Sequence, residues 1–189
     1  MSIYVYTMNN TDVLQYTTLQ NNIFRVLCKK AGSKSNQRTL ATELKVTPAA
    51  VSRSLPLLEK DNLISIHSHK TMNLKEIELN RSNHFAIQLK QVENLKSLYL
   101  SGFVEYITEN YAGCTVILFG SYARGDDTIA SDIDIAVIGT KDKKIDTDRF
   151  GSILERPIRI TVIQSTQKLS EEFRQNMCSG IVLQRGMDW

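Results

Sequence analysis

Cysteine is scarce, with Cys28, Cys114 and Cys178 the only three in 189 residues. The number is odd, the spacing is wide and no Cys-x-x-Cys pair occurs. That pattern excludes a disulfide framework, a thiolate zinc site and thiol chemistry in favour of three reduced, packed thiols. Long apolar runs are missing too. No stretch approaches the roughly 18 apolar residues of a membrane span. Residues Met1 to Met8 have neither the basic region nor the apolar core of a secretory leader. With a hydrophobic content of 42%, the expectation is a cytoplasmic protein with ordinary cores and no membrane partner. The length suits one domain or two small ones.

What the chain does contain is concentrated between residues 115 and 137. Thr115-Val116-Ile117-Leu118-Phe119 is a short apolar run, rich in β-branched residues and bounded by Gly113 and Gly120. It predicts a buried strand. The Gly120-Ser121 turn then opens a short helix, whose free amides and Ser121 hydroxyl favour an anion, phosphate foremost. Asp132 and Asp134 lie two residues apart, so on a strand both side chains leave one face while Ile133, Ile135 and Val137 enter the core. Two adjacent carboxylates beside a phosphate cradle suit Mg²⁺, which combines a few carboxylates with substrate phosphates. The implied chemistry is metal-assisted phosphoryl or nucleotidyl transfer.

Gly120-Ser121, ten intervening residues and Asp132-x-Asp134 resemble the signature of the DNA polymerase β-type nucleotidyltransferase superfamily. Gly-Ser-Tyr-Ala-Arg-Gly-Asp followed by Ser-Asp-Ile-Asp is similar to its minimal nucleotidyltransferase branch. The resemblance implies NTP and Mg²⁺ binding, ATP being the expected nucleotide, and transfer of a nucleoside monophosphate to a hydroxyl. It implies that Gly120, Ser121 and Arg124 hold the triphosphate and that Asp132 and Asp134 are the metal-binding catalytic pair. A protein hydroxyl is an expected acceptor, because that branch includes enzymes that adenylylate partner toxins.

One family element is absent. The superfamily usually places a third carboxylate on a neighbouring strand. Here the candidate strand is Ile158 to Ile163, with Ile158, Ile160 and Val162 on its apolar face. Arg159 and Thr161 then look toward the aspartates, and Arg159 occupies the third position with the opposite charge. Its guanidinium is expected to pair with the aspartates and partly replace a cation. The alternative function is therefore a transcriptional regulator whose nucleotidyltransferase-like domain senses nucleotide or is inactive.

Upstream, Leu19, Ile23, Val26 and Leu27 recur at helical spacing over residues 17–31, with Gly32 as a C-cap. A polar loop, Ser33 to Asn36, precedes a short helix through Leu40, Ala41 and Leu44. After a turn at Lys45-Val46, Thr47 is an N-cap and Pro48 suits the first helical position. The third helix turns Val51, Leu55 and Leu58 inward and ends near Asn62. Leu63 to His67 and Leu74 to Leu79 alternate as strands around the tip His69-Lys70-Thr71-Met72-Asn73.

The run Arg38 to Ile64 resembles the winged helix-turn-helix domains of MarR-like regulators. By that resemblance the third helix enters the major groove of double-stranded DNA, with Thr47, Ala49, Ala50, Ser52 and Arg53 exposed and Lys70 on the wing. Arg53 would read guanine or touch phosphate. Pro56 departs from a regular recognition helix and is expected to bend it. Charge agrees with the division of labour. Residues 12–81 carry 11 basic against 6 acidic residues, a net of +5, and the remainder nets −2.

Residues 82–110 predict one long helix. Phe85, Leu89, Val92, Leu95, Leu98, Tyr99, Phe103, Val104 and Ile107 form its apolar stripe, with Lys90, Glu93, Lys96 and Glu105 on polar positions. Its first half has little in cis to cover it, so a homodimer is expected there. Leu169 and Phe173 turn inward on an amphipathic closing helix, Lys168 to Met177. The expected architecture is α+β: a winged helix-turn-helix over 12–81, a linking helix over 82–110 and a mixed-sheet nucleotidyltransferase domain over 111–189.

Overall fold

Thr17 starts the first helix, α1 (Thr18–Lys29), through a capping box. Its hydroxyl accepts from the Gln20 amide while Gln20 Oε1 accepts from the Thr17 amide at 2.8 Å. The structure, a computed structural model, describes residues 16–69, 74–141, 143–164 and 171–186. Helix α2 (Gln37–Leu44) begins where the Asn36 side chain accepts from the Arg38 and Thr39 amides. It ends at Lys45 in the left-handed conformation. Thr47 caps α3 (Pro48–Lys60), and Val51, Leu55 and Leu58 are buried as their spacing predicts. The helix runs through Pro56 without a break, because the carbonyl that proline leaves free belongs to solvent-exposed Ser52.

Strands β2 (Ile64–His69) and β3 (Leu74–Leu79) pair antiparallel as the wing. Ser35 and Asn36 form a third, two-residue strand, β1 (Ser35–Asn36), beside β3. This corrects the expected loop: a loop that must lie against β3 satisfies its backbone groups there. Ile23, Leu27, Leu40, Val51, Leu58 and Ile77 fill the core of this half.

A single helix over 82–110 does not form. Helix α4 (His84–Leu100) ends at Ser101, Gly102 adopts φ +76°, and α5 (Phe103–Asn110) begins there. A left-handed glycine ends one helix and redirects the chain into the next. The buried face also differs from the expected stripe. Ala86, Lys90, Asn94 and Leu98, spaced by four, point inward, while Phe85, Val92 and Tyr99 are 40%, 60% and 52% exposed. The first half of α4 is thus covered in cis on a face that includes a lysine.

The C-terminal sheet is mixed, in the order β6-β5-β4-β7. Strand β4 (Thr115–Phe119), buried throughout, pairs antiparallel with β5 (Ile133–Ile138). Strand β6 (Ile158–Ile163) runs parallel to β5. Strand β7 (Ile181–Gln184), which the sequence pattern does not announce, closes the other edge against β4. Between the strands lie α6 (Gly120–Arg124), α7 (Asp148–Leu154) and α8 (Glu171–Cys178). Phe103, Val104 and Ile107 of α5 pack on one sheet face with Phe150. On the other face Phe173 meets Phe119 edge-on with ring centroids 5.4 Å apart. Leu169 lies outside the described residues.

A buried polar cluster joins the two halves. Lys90, fully buried, forms an ion pair with Asp127, and Asn94 Nδ2 donates to the same carboxylate at 2.7 Å. Arg156 lies 3.7 Å from Asp127 and donates to the Lys29 carbonyl at the end of α1 at 2.6 Å. Removing the carboxylate strands two buried cations, whereas Lys90→Met leaves Asp127 with Arg156. Asp127→Ala is expected to lower unfolding free energy by about 3–5 kcal/mol, and Lys90→Met by clearly less. Equal losses in urea titrations of the two variants would show that Arg156 takes no share of Asp127.

Candidate active site

Phe119 stands opposite Asp134 in the β4–β5 register, and Asp134 stands opposite Arg159 in the β5–β6 register. The end of β4, the start of β5 and the start of β6 therefore meet in a row. Gly120 follows β4 at φ +75°, and a Cβ there would lie 2.5 Å from Asp134 Oδ2. The Asp134 carboxylate rests on the glycine backbone, in space that a side chain would occupy. Both halves of the motif thus meet, and glycine is required twice over: by the left-handed φ and by the contact.

Asp132 lies just before β5, and its Oδ2 accepts from Arg159 Nη2 at 2.6 Å. The Arg159 side chain is 69% exposed. An ion pair this open contributes about 0–1 kcal/mol, so a ligand can displace it. Asp134 is half-buried, and its carboxyl is held above the usual carboxylate range. Burial is the main cause and repulsion by Asp132 adds to it, while Arg159 and Arg124 pull the other way. Two carboxylates fit a Mg²⁺ that takes its remaining oxygens from phosphates and water. Among the described residues no group of three or more His, Cys, Asp or Glu offers a complete protein cage.

Ser121 is half-buried in the first turn of α6, and Arg124 ends that helix, exposed, with Nε 3.2 Å from Asp126 Oδ2. The helix is held from behind. Asn94 Nδ2 donates to the Tyr122 carbonyl at 3.0 Å and Gln91 Nε2 to the Ala123 carbonyl at 2.6 Å. These bonds satisfy carbonyls that so short a helix cannot pair internally. Asp127, Lys90, Asn94 and Arg156 were not singled out by motif or stripe. The available signal was the row Ala86, Lys90, Asn94, Leu98 at steps of four, which marks a helix face with a polar partner.

On the winged helix, Thr47, Ala49, Ser52 and Arg53 are exposed at the start of α3 and Ala50 is half-buried. The Thr47 hydroxyl accepts from the Ala50 amide at 3.2 Å, and Arg53 Nε donates to the Ala49 carbonyl at 3.4 Å. Lys70 lies outside the described residues, as does the side chain of His69. His67 Nε2 sits 3.2 Å from Glu78 Oε1 on the neighbouring strand.

Residues 100–181 match the family model of a nucleotidyltransferase domain. A 42-residue stretch is 52% identical to the Methanocaldococcus jannaschii protein described as "Putative protein adenylyltransferase MJ0604", covering 21% of this chain and 42% of that one. The chain thus spans about two fifths of the length of this curated relative. Among solved structures, a mutant of Lactococcus lactis ZitR aligns at 18% identity and TM-score 0.40, over 53% of this chain and 66% of its own. The adhesin competence repressor AdcR of Streptococcus pyogenes aligns at 15% identity and TM-score 0.41, over 55% of this chain and 72% of its own. Another ZitR structure is described as a zinc-responsive MarR family member. These structural scores are low, and the winged-helix fold rests on the chain's own three helices and hairpin.

The contact between Gly120 and Asp134 is open to a double-mutant cycle. Gly120→Ala is expected to destabilise by roughly 1–2 kcal/mol from the left-handed backbone alone, plus the clash with the carboxylate. In an Asp134→Ala background only the backbone part should remain. Additive losses in chemical denaturation would mean that the two residues do not touch.

Proposed function

We propose that this chain, whose residues 100–181 match the model of a nucleotidyltransferase domain, binds double-stranded DNA and transfers a nucleoside monophosphate from an NTP to a hydroxyl acceptor. The observation that carries the reading is the Asp134 carboxylate seated on the Gly120 turn with Asp132 beside it. Gly120 and Ser121 offer amides and a hydroxyl to the triphosphate, and Arg124 adds a cation at the end of the same short helix. Asp132 and Asp134 hold Mg²⁺, which when bound offsets charge on the transferring phosphoryl group. ATP is the proposed nucleotide and a protein hydroxyl the proposed acceptor, in keeping with the name of the Methanocaldococcus jannaschii relative.

The DNA-binding part is the unit proposed over residues 12–81, with α3 in the major groove and Thr47, Ala49, Ala50, Ser52 and Arg53 facing the duplex. Lys70 is the proposed wing contact. Residues 82–110 link it to the domain proposed over 111–189. A homodimer through the exposed Phe85, Val92 and Tyr99, which recur every seven residues, completes the proposal.

The second reading, a regulator with an impaired transferase domain, is favoured by one contact, the 2.6 Å pair between Arg159 and Asp132. Thermal unfolding with each NTP, with and without Mg²⁺, separates the two. Ligand at ~100 times its Kd adds about 2.7 kcal/mol. A Mg²⁺-dependent shift lost in Asp132→Asn/Asp134→Asn supports the enzyme; the absence of any shift leaves the regulator. If Arg159 restrains the site, Arg159→Asp raises Mg²⁺-dependent transfer, and no gain with any nucleotide counts against restraint. Arg53→Ala is expected to weaken a specific DNA site by roughly 1–3 kcal/mol. Equal loss on every sequence would make it a phosphate contact. A monomer at all concentrations in sedimentation would remove the dimer.

A further inference from the structure

A cavity of about 390 Å³ lies where the winged helix meets the nucleotidyltransferase domain. Its walls come from α1, α2, α4, α6, α7 and Arg156, and none of Gly120, Ser121, Asp132 and Asp134 lines it. The volume falls in the range of small-molecule sites, about 300–1,000 Å³.

Charge on the walls is unbalanced. Arg25, Lys29, Lys96 and Arg156 face Glu43 and Glu93. Both carboxylates already have cations of their own, Glu43 from Lys30 and Glu93 from Lys96 at 3.6 Å. Lys29 pairs with Glu155 at 3.4 Å. Arg25 donates to neutral Asn22 Oδ1 at 2.9 Å. Arg156, only 4% exposed, donates to the carbonyls of Lys29, Ile129 and Glu155 and shares one carboxylate, Asp127, with Lys90. Carbonyl partners take hydrogens of its two Nη groups without cancelling its charge, and its buried Nε has no hydrogen-bond partner among the described residues. Poorly screened by its surroundings, that charge acts on the adjoining cavity far more strongly than it would in water. The rest of the wall combines the polar Asn94, Ser97 and Ser101 with an apolar part, Val26, Leu44 and Leu154 inside and exposed Leu100 and Ile153 at its edge.

We propose that this cavity binds a small organic anion. A carboxylate or phosphomonoester head is drawn to Arg25 and Arg156, and an apolar or aromatic body rests on Leu100, Ile153 and Leu154. An occupant touches the winged helix, α4 and the α6 that carries Ser121 and Arg124, so its binding is linked to both ends of the chain.

The test uses thermal unfolding of the full chain with phenyl phosphate, benzoate, neutral phenol and inorganic phosphate. One of the two aromatic anions is expected to raise the midpoint saturably, with phenol and inorganic phosphate each at least about tenfold weaker. A preference for phenyl phosphate identifies a phosphomonoester site, and the reverse identifies a carboxylate site. Arg25→Gln, and Leu100→Trp at the rim, should each weaken binding about tenfold, with Ile153→Trp as the second rim variant should Leu100→Trp fail to fold. Asp132→Asn/Asp134→Asn should leave the shift intact. The proposal is overturned by the absence of a saturable shift with either aromatic anion. It is equally overturned if phosphate alone reproduces the full shift, or if the shift survives the rim variants but not the aspartate variant.

Discussion

The ion pair between Lys90 and Asp127 is the contact on which the remaining geometry hangs. Both groups are buried, so each would lose several kcal/mol of hydration were it alone. Burial lowers the Lys90 pKa while Asp127 pulls it back up. The pair is tolerable because Asn94 and Arg156 share the same carboxylate. Asp127 belongs to the loop between Ser121 and Asp132, so the segment that sets the spacing of the two site halves is fastened to a helix outside the sheet. Arg156 carries the connection on to the carbonyl of Lys29, and the Ile129 amide donates to Ala31 at 3.0 Å. The position of the winged helix and the shape of the site loop are therefore parts of one polar arrangement.

The contrast with the other ion pair is one of environment. Arg159 and Asp132 form a shorter contact than Arg156 and Asp127, yet they sit in solvent and are weakly coupled. The buried cluster is structural because its members have no water to turn to. The exposed pair is replaceable because both of its members do. A ligand that binds the aspartates can therefore displace Arg159 at little cost.

Much of the architecture was legible from local rules. Thr47-Pro48 marks the start of the third helix, the β-branched run at Thr115 to Phe119 marks the central strand, and Ile133, Ile135 and Val137 alternate into the core as a half-buried strand must. The pairing of Arg159 with Asp132 followed from counting faces. Gly102 looked like one tolerated glycine in a long apolar pattern, but its left-handed backbone makes two helices of one. Local rules put Lys90 on the wet side because charge near a helix surface is normally solvated; its partner lies 37 residues away, and no local pattern reports such a distance. Strand β7 is short and gets its pairing from β4, and Ser35–Asn36 is a strand only because β3 is beside it.

Gly125 presses its backbone against α4, where a Cβ would come within 2.5 Å of the Ile87 carbonyl. That closeness bears on what can be inherited or transplanted as a piece. A segment cut at residue 100, where the family likeness begins, would travel without Ile87, Lys90, Gln91 and Asn94. It would carry Asp127 and Arg156 into its new host as an uncovered pair, without the Lys90 and Asn94 that complete the cluster. The smallest portable module is therefore longer than the recognisable one, and α4 has to move with it.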